Sequence, residues 1–71
     1  MKIQYSPHAK KRLKQRGITK DQARLAVLNS DYAQQTDRNR IIARKKLNGK
    51  TLEIIYVKEN GKIIVITLYY L

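Results

Sequence analysis

The sequence has no cysteine, no tryptophan and no phenylalanine; it has one histidine, one proline, three glycines and five acidic residues. Without cysteine there is neither a disulfide framework nor a thiolate metal site. One histidine and five scattered carboxylates do not make the ligand cluster of a zinc or calcium site. No glycine-rich loop is available to cradle a phosphate, and no Ser-His-Asp ordering suggests a hydrolase triad. No metal and no cofactor are therefore expected. Long hydrophobic runs are also missing. The longest, Ile63 to Leu71, is interrupted by Thr67 and is about half the length of a membrane-spanning helix. Its β-branched residues suit a strand instead. The first five residues, Met1 to Tyr5, carry no apolar signal-peptide segment. The expectation is a cytoplasmic protein with no membrane partner.

Positive charge is what the chain has in excess. Sixteen Lys and Arg against five Asp and Glu give a formal charge of +11. So large an excess repels itself unless an anionic partner offsets it. Nucleic acid is the usual partner and an anionic membrane the second, so RNA is the expected one. Seventy-one residues imply a single domain over 1–71. A core of that size supplies about 3–5 kcal/mol of net stability.

Helix signals open the chain. Ser6 can cap and Pro7 suits the first helical position, so a helix is expected over Pro7–Arg16, stopped by Gly17. Thr19 and Gln22 form a capping-box pattern, with Ile18 able to staple against Ala23, for a second helix to about Asn29. A polar loop is expected from Ser30-Asp31 to about Asn39. Three strands follow, Arg40–Leu47, Lys50–Glu59 and Lys62–Tyr70. Asn48-Gly49 and Asn60-Gly61 between them are strong two-residue hairpin signals. Ile3–Tyr5 can add a short strand. The expected fold is α+β, with two N-terminal helices on a three-stranded antiparallel meander, four-stranded where Ile3–Tyr5 joins it.

Two-residue turns fix register. One face then carries Ile41, Ala43, Lys45, Leu52, Ile54, Tyr56, Ile63, Val65, Thr67 and Tyr69. The other carries Arg40, Ile42, Arg44, Lys46, Thr51, Glu53, Ile55, Val57, Ile64, Ile66, Leu68 and Tyr70. The first has fewer charges and is expected to take the helices. The second mixes cations with an apolar centre and suits binding. Glu53 stands opposite Arg44 there and can pair with it.

The first helix is the richest in chemistry. Ala9 and Leu13 mark its core side, and Lys10, Lys11 and Lys14 point to water, placed for loose phosphate attraction. His8, Arg12 and Arg16 recur every fourth residue and form one stripe along the rim of the core. Arginine can fork onto a phosphate, although for an isolated pair of helix arginines the more ordinary reading is stems that cover the core with heads in water. His8 near a helix N-terminus, with Arg12 close by, favours the neutral imidazole, a usable general base. A second basic cluster, Arg38, Arg40, Arg44, Lys45 and Lys46, alternates with Ile41, Ile42 and Ala43 and fits a groove that tracks an RNA backbone. On the second helix Ala23, Ala26 and Val27 form the core stripe. Leu25 and Leu28 lie nearly opposite and suggest an apolar seam for a partner.

The string His8-Ala9, Arg12, Arg16-Gly17-Ile18 within YSPHAKKRLKQRGIT resembles the opening of a bacterial family of domains of unknown function, number four-two-five-eight. Its pattern is roughly His-Ala-x-x-Arg-x-x-x-Arg-Gly-Ile, and it closes on a strand similar to GKIIVITLYY. The resemblance covers nearly the whole chain. It implies a fold similar to RelE-like and barnase-like ribonucleases, and His8, Arg12 and Arg16 as the motif positions. The chain lacks an obvious catalytic acid, Glu53 and Glu59 being its only glutamates.

The expected function is that of a metal-independent endoribonuclease, the toxin of a toxin–antitoxin pair. The substrate's 2′-hydroxyl attacks the adjacent phosphate; His8 takes the proton, Arg12 and Arg16 stabilise the developing charge, and Tyr69 is a proton donor or stacking group. Lys10, Lys11, Lys14, Arg40, Arg44 and Lys46 hold the RNA. Leu25 and Leu28 would meet a second copy or an acidic antitoxin. The alternatives are a non-catalytic RNA-binding module and an inactive toxin relative acting through protein contacts.

Overall fold

The structure is a computed structural model that describes residues 2–71. Its elements run β1 (Lys2–Tyr5), α1 (Pro7–Arg16), α2 (Lys20–Leu28), β2 (Tyr32–Gln35), a short 3-10 turn (Asp37–Asn39), β3 (Arg40–Leu47), β4 (Lys50–Glu59) and β5 (Lys62–Tyr70). The helices form where their local signals put them. The Ser6 hydroxyl accepts from Ala9 N–H and Pro7 takes the first turn. Gly17 ends α1 with φ of 63°, where a Cβ would cost energy. Ile18 N–H then donates to Leu13 O at 2.9 Å, closing the helix end as in a Schellman motif. Thr19 and Gln22 form the complete capping box of α2, each bond 3.0 Å.

The sheet differs from the expected meander. It has five strands in the order β1-β5-β4-β3-β2, and β1 runs parallel to β5. The α+β composition holds; the purely antiparallel three- or four-stranded sheet does not. One strand, β2, lies outside the expectation, and the expected β1 pairs in parallel, for separate reasons. The segment read as a polar loop contains β2, which pairs with β3 from Tyr32↔Arg44 to Gln35↔Ile41; all four of its residues are exposed, so no hydrophobic alternation betrays it. The short N-terminal strand is present, but its partner is the far end of the chain, and a parallel partner needs a long crossover.

The two Asn-Gly turns form, with positive φ at both residues of each, and the β3–β4 register is the expected one, Leu47↔Lys50 through Arg40↔Val57. The β4–β5 register is expected only from Glu59↔Lys62 to Tyr56↔Val65. A bulge follows, so that Ile55 meets Thr67 and Glu53 meets Tyr69, leaving Ile66 extra. An inserted residue exchanges the faces of everything beyond it. Leu68 and Tyr70 therefore turn to the helices, and Thr67 and Tyr69 to the other face, the reverse of the expectation. The bulge is anchored by Ser6, whose N–H donates to Val65 O at 2.9 Å and whose hydroxyl donates to Ile66 O at 2.8 Å.

Both helices lie on one face. The core joins Ala9, Leu13, Ile18, Ala23, Ala26 and Val27 to Ala43, Leu52, Ile54, Tyr56, Ile63, Val65 and Leu68. This bears out the core stripe of α2 and the helix-facing assignment of the sheet as far as the bulge. No helix is long and apolar enough to cross a membrane among the described residues.

Candidate functional site

The opposite face of the sheet is uncovered by helices. Cross-strand pairing sets Tyr32 beside Arg44, Arg44 beside Glu53, and Glu53 beside Tyr69. One row thus crosses four strands, and directly opposed residues share a face close enough for side chains to meet. The bulge completes this row: without it Leu68 would oppose Glu53.

Glu53 is the centre of the row. It is 6% exposed and is the one buried charged residue among those described. Burying a carboxylate is costly unless its oxygens are satisfied. Here Arg44 Nε donates to Oε1 at 2.7 Å, and the Tyr69 hydroxyl donates to Oε2. These contacts hold the Glu53 carboxyl below the ordinary carboxylate range, the Tyr69 bond first and Arg44 second, against the opposing effect of burial. The same bond, with burial, raises Tyr69 above its ordinary value, and Glu53 raises Arg44. At neutral pH the site therefore holds a carboxylate, a protonated phenol and a guanidinium.

The surroundings are cationic and partly open. The Arg44 side chain is 46% exposed, and among the described residues only its Nε is engaged in a hydrogen bond. The Tyr32 ring lies 5.2 Å from its guanidinium carbon, within cation–π range. Beside it Asp31, Arg44, Lys45, Lys46 and Thr51 line an open hollow of about 570 Å³. Asp31 braces that end: it accepts from Lys46 N–H at 2.8 Å and from Lys45 Nζ at 3.3 Å. The backbone bond, ahead of the lysine, keeps its carboxyl low. Arg40 and Lys46 are exposed and share the face with Arg44 by strand alternation.

The other candidate residues fall elsewhere. His8 and Arg16 are exposed and Arg12 is half-buried, all on α1, which packs against β5 and β1 on the helix-bearing side. Among the described residues no hydrogen bond or ion pair joins their side chains to another group, so no polar contact orients the His8 ring. Lys10, Lys11 and Lys14 are exposed on the same helix. Tyr69, assigned to the helix-facing surface from sequence, stands instead on the open face with Arg44. The sequence marks Glu53 as a partner for Arg44 and not as a site residue; its signal is the pairing of a lone central carboxylate with an arginine on a face otherwise rich in cations. Leu25 and Leu28 are 41% and 51% exposed. No group of three or more His, Cys, Asp or Glu able to hold a metal occurs among the described residues.

Comparison with known proteins gives no match among curated proteins and none among solved structures. A family model described as a domain of unknown function, DUF4258, matches residues 5–70. That span runs from the last residue of β1 through the final residue of β5 and includes every member of the Tyr32–Arg44–Glu53–Tyr69 row, and the chain belongs to the DUF4258 family.

Proposed function

We propose that this protein is a metal-independent endoribonuclease whose active site is the open face of the sheet. One observation carries the reading. A single buried carboxylate, Glu53, is held between a phenol and a guanidinium at the centre of a surface rimmed by cations, in a chain of charge +11. Packing alone gives no reason for a charge there, since apolar residues of similar volume are often as stable or more so.

The three groups suffice for intramolecular transfer at phosphorus. An RNA phosphate draws the free guanidinium nitrogens of Arg44 onto its non-bridging oxygens, where charge develops. With Arg44 drawn away, Glu53 becomes a stronger base. Glu53 takes the 2′-hydroxyl proton, the 2′-oxygen bonds to phosphorus, and the bond to the 5′-oxygen breaks. Tyr69 gives its proton to that departing oxygen. The phenolate then recovers a proton from Glu53 along their existing hydrogen bond, and the site is reset. Arg40 and Lys46 hold the flanking backbone.

Kinship with RelE-like and barnase-like ribonucleases, and a role as the toxin of a toxin–antitoxin pair, belong to the same proposal. They are supported by the opening motif and by two helices on one sheet face that leave the other free for RNA. A second reading is a non-catalytic RNA-binding module, favoured by the fact that both Glu53 oxygens are already occupied within the protein. The stripe of His8, Arg12 and Arg16 is the alternative centre.

Purified protein incubated with cellular RNA in EDTA separates these readings. Cleavage by the parent and by His8→Ala, lost in Glu53→Gln with binding retained, is the expected result. Loss in His8→Ala alone moves the centre to α1. Binding without cleavage by the parent supports the module, and neither binding nor cleavage supports a role through protein contacts.

A further inference from the structure

The sheet has two edges, and they differ. β1 is led by Lys2, and its other residues are half-buried. In β2 all four residues are exposed, and Tyr-Ala-Gln-Gln has none of the lysine or proline that commonly blunts an edge. Thr36 N–H donates to Arg40 O at 2.7 Å. Residues of an antiparallel strand alternate between facing their neighbour and facing away. Gln34 therefore points inward like Thr36, and the N–H and C=O groups of Ala33 and Gln35 point out of the sheet. A row of alternating donors and acceptors at strand spacing is matched by another polypeptide backbone.

We propose that the β2 edge receives an extended, acidic segment of another protein, which adds to the sheet as a sixth strand. Charge selects this occupant. β2 is neutral and is flanked by Asp31 and Asp37, but Asp31 is already engaged by Lys45 and the Lys46 N–H. Five cations outnumber the two: Arg38 and Arg40 follow β2, and Arg44, Lys45 and Lys46 lie beside its start on β3. A second copy of the chain would bring the same cations to the same edge, with +11 on each side, and repulsion opposes that pairing. An acidic segment gains from both the ladder and the charge.

Sheet parity gives the pattern of the segment. Alternate residues of an added strand share the open face with Tyr32 and Gln34; the others share the helix-side face with Ala33 and Gln35. Carboxylates belong at the open-face positions, the face that Arg40 and Arg44 share with Tyr32 and Gln34. Small apolar residues suit the face beside Ala33. Such a segment competes with phosphate for Arg44, so its binding inhibits RNA cleavage; that consequence rests on the proposed active site, whereas the strand addition does not.

The probe is a short synthetic peptide alternating valine with glutamate, capped at both ends. It is titrated into the isotopically labelled full chain, and amide hydrogen exchange is read residue by residue. Exchange at Ala33 and Gln35 is expected to slow about tenfold or more on binding. Binding should weaken with salt and fail for the matching valine–lysine peptide. Ala33→Pro, which removes an outward N–H, should abolish it, while the protection pattern in the parent needs no substitution to interpret. No slowing at Ala33 and Gln35 overturns the proposal. So does equal protection by the lysine peptide, or protection that follows protein concentration alone, which would assign the edge to a second copy.

Discussion

Replacing Tyr69 with phenylalanine keeps the ring and removes one hydroxyl. The structure gives that hydroxyl one task, to donate to Glu53 Oε2. A hydrogen bond to a charged group contributes about 1.5–3 kcal/mol. Glu53 is 6% exposed, so water replaces the lost donor poorly. A domain this small has only about 3–5 kcal/mol in total, and Tyr69→Phe should therefore remove about half of it at neutral pH. The pH dependence identifies the cause. The folded-state carboxyl of Glu53 lies below its ordinary value of 4.5. Its contribution is complete above that value and is lost as falling pH protonates the folded protein. Tyr69 acts in the opposite sense: raised above 10.0, it contributes fully below pH 10 and loses its share as pH rises through the folded-state value. Asp31 is held low in both proteins and cancels from the comparison. Urea unfolding across pH should thus show a gap between parent and variant that is widest near neutrality. Towards about pH 3 the gap should narrow to about 1 kcal/mol, the size of a neutral hydrogen bond. A gap below about 0.5 kcal/mol at pH 7, or one that does not change with pH, refutes the picture of a phenol holding a buried carboxylate.

Three other outcomes follow from the same geometry. Ser6→Ala removes the cap of α1 and the hydroxyl bond to Ile66 O, while the backbone bond to Val65 O remains, and should cost about 1–2 kcal/mol in urea unfolding; an unchanged midpoint contradicts the role of the hydroxyl. RNA affinity should fall steeply with salt, and Lys46→Ala should reduce the slope of log K against log salt by about 0.7, one single-strand phosphate contact; a slope near zero for the parent removes the electrostatic account of the charge. Leu25→Ser with Leu28→Ser should change stability by less than about 1 kcal/mol while weakening any self-association or partner binding seen by sedimentation, and marked unfolding would show that these leucines pack within the protein.

The parts of the fold that were legible are those written in short range. Ser6-Pro7, Gly17, the Thr19–Gln22 box and the two Asn-Gly turns each act within a few residues, and each produced its element. What escaped depends on distance or on exposure. β2 has only exposed residues, so its sequence reads as a loop, and only pairing with β3 makes it a strand. The parallel β1–β5 pair joins the two ends of the chain, which no local pattern encodes. The bulge is the feature with the largest consequence, because it decides which face Tyr69 occupies. Thr67 carried a trace of it: uninterrupted alternation would have placed that hydroxyl towards the helices, and the extra residue at Ile66 moves it out. Arg44 and Glu53 were paired correctly from the turn register alone. That Glu53 is buried and shared with Tyr69 required the shifted register.

The identity of the RNA ends tests the central claim most directly. Fragments produced in EDTA are separated and their termini identified by mass spectrometry, beside the same reaction on a substrate carrying 2′-deoxyribose at the cleaved position. Attack by the substrate's own 2′-hydroxyl predicts a 2′,3′-cyclic phosphate on one fragment, a 5′-hydroxyl on the other, no cleavage of the deoxy substrate, and loss of all products in Glu53→Gln. A 3′-hydroxyl with a 5′-phosphate, cleavage of the deoxy substrate, or full activity in Glu53→Gln would contradict it.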